Sequence, residues 1–549
     1  MDKINKCLLL IKNNKFDEAK RVIKQSGLKI KQDIKFTLMG IIESEQSNYL
    51  NSIKFFQNAL DLNPKNFSYN FNLGIALGKN LNTSQSIGHL KICIRNNYKI
   101  IDCLLDISKQ LTNKNKLNLA LKILLNYKQK NYQIFYNIAF IYNALNQLNL
   151  AKKYVLESLK NNSTNIDTLF LYAEIFKKEF KYKESINIYQ KIISSNPNYK
   201  LAYLNLANTF VQIDKYDEAK KNYEIFLKFD KENKDALFFL SQVLLKQNLC
   251  DSEVLQNFEE RFSVKKLPVT ILYNLNQKIW NGEFVDTLLI WGEQGVGDHI
   301  FYSKHLARAS SYAKKIIFQT DKRLVNLFKN FFNKNNIKNI EIIHNEQIID
   351  GYSRHIPIGS LMRILNIRPF DSKKFSKIIE ADPILVNQFA KKIDTKNFKI
   401  GISWKSLNQD ENFRNIDMQL ILGYLKNIPN VKIYNLQFGL DEDEIKNINN
   451  SKDIIFYENI DYKNDFNSVA AIIENMDCVI SIQNSTAHLS CSLQKKTFLL
   501  LPLGSRWYWG VNDYDQWYGC AKIFRQQEIF NWSNPLNELI NSIQNEIRN

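Results

Sequence analysis

The sequence predicts an α-helical solenoid followed by an α/β region of two lobes, each built on a parallel sheet. Three observations predict it. A small residue recurs with a period near 34 through the first half. An apolar run, Leu288-Leu289-Ile290-Trp291, enters a turn with three glycines and an acid, Gly292-Glu293-Gln294-Gly295-Val296-Gly297-Asp298. A second strand-to-helix junction stands at Cys478 to Leu489. The difference in texture between the halves assigns chemistry to the second and a different task to the first.

Composition sets the bounds. The chain has 549 residues, is 45% hydrophobic and 12% aromatic, and so can fill three or four cores. Met1 to Lys6 precede only a short apolar run, Cys7 to Ile11, inside an amphipathic pattern, so no secretory signal is read there. No stretch of 18 uninterrupted apolar residues occurs. The seven cysteines are scattered and include no CxxC, and no HxxxH occurs. A reducing, cytoplasmic setting is expected, without disulfides, a metal or a bound cofactor. The net charge is +19, yet the lysines are spread among many asparagines and isoleucines and form no long basic run. Nucleic acid is therefore not the expected partner. Peripheral contact with the anionic inner face of a membrane is the expectation that the charge leaves open.

The repeat is read from its small position, which falls on Ala19, Ser52, Ser86, Ala120, Ala151, Ser185 and Ala219. A small side chain is needed where the two helices of a unit cross closely. An aromatic stands three residues earlier at Phe16, Tyr49, Tyr182 and Tyr216. Asn63-Pro64 and Asn196-Pro197 end second helices, because proline cannot continue one. First helices are expected at 67–77, 199–213 and 234–245. These features resemble the tetratricopeptide repeat, with about seven copies over residues 1–250. Such arrays present a concave face that binds extended peptides or proteins, and they also serve as oligomerisation surfaces or spacers. Residues 251–270 are expected to be a linker.

In the second half, β-rich runs alternate with helical stretches. The first lobe, 271–385, holds strands at 287–291, 315–319, 341–343 and 354–358. The second, 386–549, holds them at 398–404, 431–437, 454–456, 478–482 and 497–502, with a C-terminal helix. Helices are expected at 300–309, near 383–393, and from about Ser485. The helix start at Asn484-Ser485-Thr486-Ala487-His488 offers N–H groups and hydroxyls to an anion such as a diphosphate. Two parallel α/β lobes leave a cleft at their strand C-termini.

The combined motifs resemble the ADP-heptose:lipopolysaccharide heptosyltransferases, and more closely bacterial proteins that fuse tetratricopeptide repeats to such a domain. The domain order is also similar to that of O-linked N-acetylglucosamine transferases. The resemblance covers roughly residues 285–530. It is carried by Trp291 to Asp298, Gly401-Ile402-Ser403-Trp404, Arg414-Asn415-Ile416, Leu436-Gln437, Asn484 to Leu489, Asp515-Gln516-Trp517-Tyr518 and Phe524-Arg525-Gln526. It implies a GT-B fold of two Rossmann-like lobes, with the acceptor on the first and a nucleotide-diphosphate sugar on the second. It further implies metal-independent, inverting transfer to an acceptor hydroxyl, with Asp298 as base and the loop of Gly295 and Gly297 facing the acceptor. Lys405, Arg414, Gln437, Asn484, Ser485, Thr486, Ala487 and His488 are the donor-binding candidates. In the related sequences an aspartate commonly stands where this chain has Gln483.

Each candidate also has a plainer reading. Asp298 caps helices well. Lys405 and Arg414 are otherwise solvated loop cations, and His488 a satisfied histidine at a helix start. Trp404 and Gln437 either approach the base or ribose or pack. His299 and His305 read as helix-surface or packing residues. Arg506-Trp507-Tyr508-Trp509 with Trp517-Tyr518 is either aromatic core or a pocket wall. The alternative function is a non-catalytic tetratricopeptide adaptor with a degenerate glycosyltransferase-like domain, a reading that Gln483 favours.

Overall fold

A computed structural model of the chain describes residues 3–264, 277–347, 349–369, 377–393, 396–406, 413–451 and 453–548. Fifteen helices among them run from Lys3 to Lys246. They form seven helix pairs and the first helix of an eighth, and they are tetratricopeptide repeats. All seven small positions are fully buried, each in the first turn of a second helix. At two of the three serines, Ser52 and Ser86, the hydroxyl also bonds across the crossing. The Ser52 hydroxyl donates to the Gly40 carbonyl at 2.8 Å and that of Ser86 to Gly74 at 2.7 Å. The expected proline stops hold, since the second helices Tyr49–Leu62 and Tyr182–Ser195 end on Asn63 and Asn196. Asn66, Asn131, Asn165 and Asn233 cap first helices by accepting first-turn N–H bonds.

A second period runs beneath the first. Between the helices of each pair one residue takes the left-handed conformation: Asn14, Ser47, Leu81, Asn115, Asn146, Phe180, Asp214 and Asn248, with φ from 55 to 64°. The eighth falls after the last first helix, so the array continues past 246. There Asp251 caps a short helix, Ser252–Phe258, followed by a 3-10 turn, Glu259–Phe262. The stretch expected to be a linker is thus folded up to this point, because Val254, Leu255 and Phe258 are buried. Residues 265–270 of that stretch, and 271–276 after it, lie outside the described residues.

The chain divides into two compact units, residues 1–196 and 197–549. The second holds the seventh helix pair, the last repeat helix and both lobes, so its boundary lies one and a half repeats before the expected one at 250. Its first lobe is a parallel sheet in the order β3-β2-β1-β4. The strands are β1 (Val285–Trp291), β2 (Ala313–Thr320), β3 (Ile340–His344) and β4 (Arg354–Pro357). Leu289 of β1 sits opposite Ile317 on one side and His355 on the other. The second sheet is also parallel, ordered β6-β5-β7-β8-β9. It comprises β5 (Phe398–Ser403), β6 (Val431–Asn435), β7 (Cys478–Ile482), β8 (Thr497–Leu501) and β9 (Ala521–Arg525). In the first sheet the chain runs outward from β1 through β2 to β3 and then crosses back to β4 on the other side of β1, and in the second it runs from β5 to β6 and crosses back to β7 on the other side of β5. These are the switch points beyond which α/β sheets bind ligands.

Three expectations are corrected. Ile454 to Phe456 form no strand; one bridge joins Ile455 to Tyr434. The edge strand β9 was not foreseen, since its Lys522 and Arg525 break the apolar run. The helix after the glycine turn begins earlier, at Val296, and ends at Ser303, with Leu306–Ala309 as a separate short helix. No described helix is long and apolar enough to cross a membrane.

Leu81 carries a left-handed backbone (φ 63°) on a side chain that is 80% exposed. A leucine pays there a conformational penalty of about 1–2 kcal/mol, partly offset in glycine by its larger unfolded-state freedom. Leu81→Gly should therefore stabilise the repeats by about 0.5–1 kcal/mol, read as a rise in urea midpoint. A lower midpoint would refute the account.

Candidate functional site

A cleft of about 580 Å³ opens where the C-terminal ends of both sheets meet the last repeat helix, Lys234–Lys246. The turn after β1 contributes Gln294 to Asp298, and the turn after β7 contributes Gln483, Asn484 and Ser485. Ser406 follows β5, Phe438 follows β6, and Arg506, Trp507 and Tyr508 follow β8.

The glycine turn is fixed from behind. Glu293 is buried and takes two bonds from Arg261, at 2.8 and 2.9 Å, and a third from the Gly359 N–H at 2.8 Å. Arg261, in the 3-10 turn after the last repeat, is itself fully buried and also bonds Glu259 and Ser360. The left-handed residue of the turn is Gln294 (φ 63°). The glycines expected to bend the chain have another purpose, which is clearance. A Cβ on Gly292 would lie 2.1 Å from the His299 ring, and one on Gly297 would lie 3.0 Å from His488. His299 accepts from the Asp321 N–H at 3.2 Å, and burial pushes its pKa down to about 4.

Asp298 stands in the first turn of the helix Val296–Ser303. Its carboxylate accepts from the Gly295 N–H at 3.2 Å and lines the cleft, so the capping and site readings coexist. Gly295 and Gly297 also line it. Tyr302, one turn on, is buried beside Asp298, and burial followed by that charge holds its phenol well above the usual range.

The structure distributes the donor-binding candidates unevenly. Arg414, Asn484, Ser485 and His488 line the cleft. Arg414 is buried and donates to the Gln483 carbonyl at 3.1 Å. Asn484 caps the helix Ser485–Ser492 by accepting from the Ala487 N–H, and donates to Ser403 at 2.8 Å. The N–H groups of Ser485 and Thr486 fall in the first turn, where no intrahelical acceptor exists. Thr486 and Ala487 are buried outside the lining. Lys405 is turned away, its ammonium paired with Glu444. Gln437 is fully buried, and its amide is spent on Ser403, Trp404, Lys405 and Phe438. His488 bonds Tyr518 at 2.8 Å and stacks on Trp509, and burial drives its pKa down to about 3. Gln483 accepts from the Arg506 N–H at 3.0 Å.

Sequence reasoning missed Phe238, Gln242 and Phe258, which line the cleft from the last repeat helix and the segment after it. No local signal marks them, since each sits in an ordinary helical pattern. Among the described residues no three His, Cys, Asp or Glu side chains group as metal ligands.

Three stretches, residues 132–165, 166–199 and 201–233, match the tetratricopeptide repeat family. The protein FlbA of Caulobacter vibrioides is 22% identical over 383 residues, which span 66% of this chain and 64% of FlbA. The chain thus covers less than two thirds of that relative. The match is longer than the repeat array and extends beyond it. Among solved structures, a tetratricopeptide repeat protein from Parabacteroides merdae is similar at 15% identity, covering 43% of this chain and 93% of its own (TM-score 0.36). The APC/C hetero-tetramer Cut9–Hcn1 is similar at 11% identity, covering 46% of this chain and 51% of its own (TM-score 0.37).

Near the cleft, Lys304 is fully buried, and among the described residues its ammonium has no hydrogen-bond partner. It lies 4.0 Å from the Phe301 ring centroid and 4.1 Å from that of Tyr518. Burial lowers its pKa from 10.5 to about 7. Between those values the unfolded chain holds the proton and the folded chain does not, so stability should rise from pH 7 to about 10. Below pH 7 the penalty is full. Lys304→Met should flatten that rise and raise the melting temperature at pH 6, measured by scanning calorimetry across the range. An unaltered slope would assign the pH dependence elsewhere.

Proposed function

We propose that the second compact unit is a glycosyltransferase of GT-B type. It transfers a sugar from a nucleotide-diphosphate sugar to an acceptor hydroxyl in the cytoplasm, without a metal and with inversion. The repeats recruit a protein acceptor or partner. One observation carries this reading: a single cleft joins an acid from the first lobe to a helix start and a buried arginine from the second.

The chemistry follows from that pairing. Asp298 takes the proton of the acceptor hydroxyl as its oxygen attacks the anomeric carbon. The bond from that carbon to the diphosphate oxygen breaks, and its electron pair leaves with the nucleoside diphosphate. Arg414 and the first-turn N–H group of Ser485 meet the developing negative charge. The helix that supplies that group is held by Asn484, and Arg414 is held by the Gln483 carbonyl.

The adaptor reading rests on Gln483, an amide where related sequences carry an acid. In this chain that amide orients the Arg506 backbone through an oxygen that a carboxylate would also supply. Asp298→Asn should lower transfer at least 100-fold, the scale of a lost general base, while nucleotide affinity persists. Calorimetry with UDP-, ADP- and GDP-sugars alongside a radiolabelled transfer assay measures both. No binding across the panel would leave the adaptor; transfer unchanged in Asp298→Asn would remove Asp298 from the mechanism.

A further inference from the structure

We propose that Cys491 and Cys520 form a redox-responsive dithiol. The pair exchanges with a low-molecular-weight disulfide and closes into an internal disulfide, and Lys304 takes the proton of the thiol that closes it. This stands apart from the glycosyltransferase reading above.

Two segments that meet at β8 bring the pair together. Cys491 is in the last turn of the helix Ser485–Ser492, and Cys520 is the residue before β9. The Cys520 carbonyl accepts from the Thr497 N–H at 3.2 Å, and the Ser490 and Thr497 hydroxyls bond at 2.8 Å. Both segments are therefore fixed to the first residue of β8. Asp515 holds the turn before Cys520 by accepting from the N–H groups of Gly519 and Ala521 at 3.1 and 2.9 Å. Within this frame the Cys520 thiol donates to the Cys491 carbonyl at 3.5 Å and lies within hydrogen-bond reach of the Cys491 thiol. Lys304, which follows the helix Val296–Ser303, is close enough to feel the charge of both sulfurs. Its Nζ has no hydrogen-bond partner among the described residues and sits 4.1 Å from the ring centroid of Tyr518, two residues before Cys520.

The two thiols differ in what reaches them. Cys520 is half-buried, and Cys491 is enclosed. Burial, and then the Cys520 thiol, holds Cys491 well above the ordinary thiol range, so it stays protonated until a base is supplied. Lys304 is that base. With its pKa at about 7, a large share of it is free amine near neutrality. The other titratable groups about it are Asp515, Tyr518, His305 and His488, and burial holds both histidines neutral. Exchange runs in two steps. Cys520 loses its proton to solvent, and its sulfur attacks one sulfur of a small disulfide such as oxidised glutathione. A bond forms to Cys520, the small disulfide breaks, and its other half leaves and takes a proton as a thiol. Lys304 next takes the Cys491 proton, and the Cys491 sulfur attacks that of Cys520. The second small thiol leaves with the proton from Lys304. The small disulfide gains two electrons, the two cysteines lose two, and Lys304 ends as it began. Closing ties the helix that begins at the cleft to the entry of β9, alongside the His488–Tyr518 bond. A bond that excess thiol reopens is the kind a reducing compartment supports.

The repeats hold a second adjoining pair, Cys93 and Cys103, that serves as a control. Both are fully buried, and burial, then Cys93, Asp102 and Asp106, push Cys103 up to about 12. The test incubates the full-length reduced protein with oxidised glutathione near neutral pH, quenches with acid, alkylates the remaining thiols after denaturation and maps peptides by mass spectrometry. A linked Cys491–Cys520 peptide should form while Cys93 and Cys103 stay alkylated, and excess reduced glutathione should reopen it. Cys491→Ala should stop at the Cys520–glutathione adduct. Lys304→Met, a side chain of similar length, should slow closing at least about ten-fold and let the same adduct accumulate. Wild type that leaves Cys520 as a free thiol or as a lasting adduct, with no linked peptide, would overturn the dithiol. Closing at the wild-type rate in Lys304→Met would remove Lys304 from the exchange.

Discussion

A buried ammonium group fixes the geometry on which the cleft depends. Lys246 ends the last repeat helix, and its Nζ is enclosed entirely by protein. It donates to the Ser505 carbonyl at 3.0 Å, the Ser505 hydroxyl at 2.7 Å and the Arg506 carbonyl at 2.9 Å. Burial, and then the nearby Arg525, pulls its pKa well down. Three oxygens for three donors is the geometry that holds the charged form in place against that pull. Around it, Asp214 accepts from the Gly504 N–H at 2.9 Å, and Arg525 ties the carbonyls of Trp509, Gly510 and Asn512. The loop that bears Arg506, Trp507 and Tyr508 is thereby pinned to a repeat. Removing one member would leave the others buried and unpaired, which is why such networks, once assembled, are rigid.

The Arg261–Glu293 pair applies the same logic to the other lobe. Its two ends lie 32 residues apart, one after the last repeat and one inside the glycine turn. A bidentate guanidinium–carboxylate contact without solvent tolerates little displacement. The turn that presents Asp298 is held by a residue from a segment that composition alone would call a connector. The end of the solenoid is thus structural to the site on both sides, through Lys246 to the second lobe and through Arg261 to the first.

Much of this architecture was legible in the sequence, and the rest was not, for definite reasons. The repeat was readable because close helix crossing forbids large side chains at Ala19, Ser86 or Ala219. The parallel strands were readable because Leu288 to Trp291 of β1, and all of β7 and β8, are buried on both faces and so are almost continuously apolar. β9 was obscured because it is an edge strand with Lys522 and Arg525 in its run. The left-handed period escaped notice because Leu81 and Phe180, which avoid that conformation, occupy two of its positions. Among site residues, those adjoining a strand end, such as Asp298 and Asn484, could be found from local pattern. Gln242 and Phe258 could not, because they reach the cleft only through tertiary packing. Lys405 and Gln437 stand in the right loops, yet their side chains are committed to Glu444 and to backbone groups.

The electrostatics of the cleft follow from what burial does to its candidates. His488 reads from sequence as a donor-binding candidate at a helix start. With its pKa near 3 it is neutral at physiological pH, and its ring serves to fill the space that Gly297 leaves open. Lys405 is neutralised by Glu444. The cationic groups that line the cleft are therefore arginines, Arg414 buried and Arg506 exposed, reinforced by backbone N–H groups. In the transfer reaction proposed above, these groups would meet the leaving diphosphate while the acid of the first lobe takes the proton. The division of labour between the lobes is then electrostatic as well as spatial. The second lobe supplies the cationic groups of the cleft, and the first supplies its carboxylate.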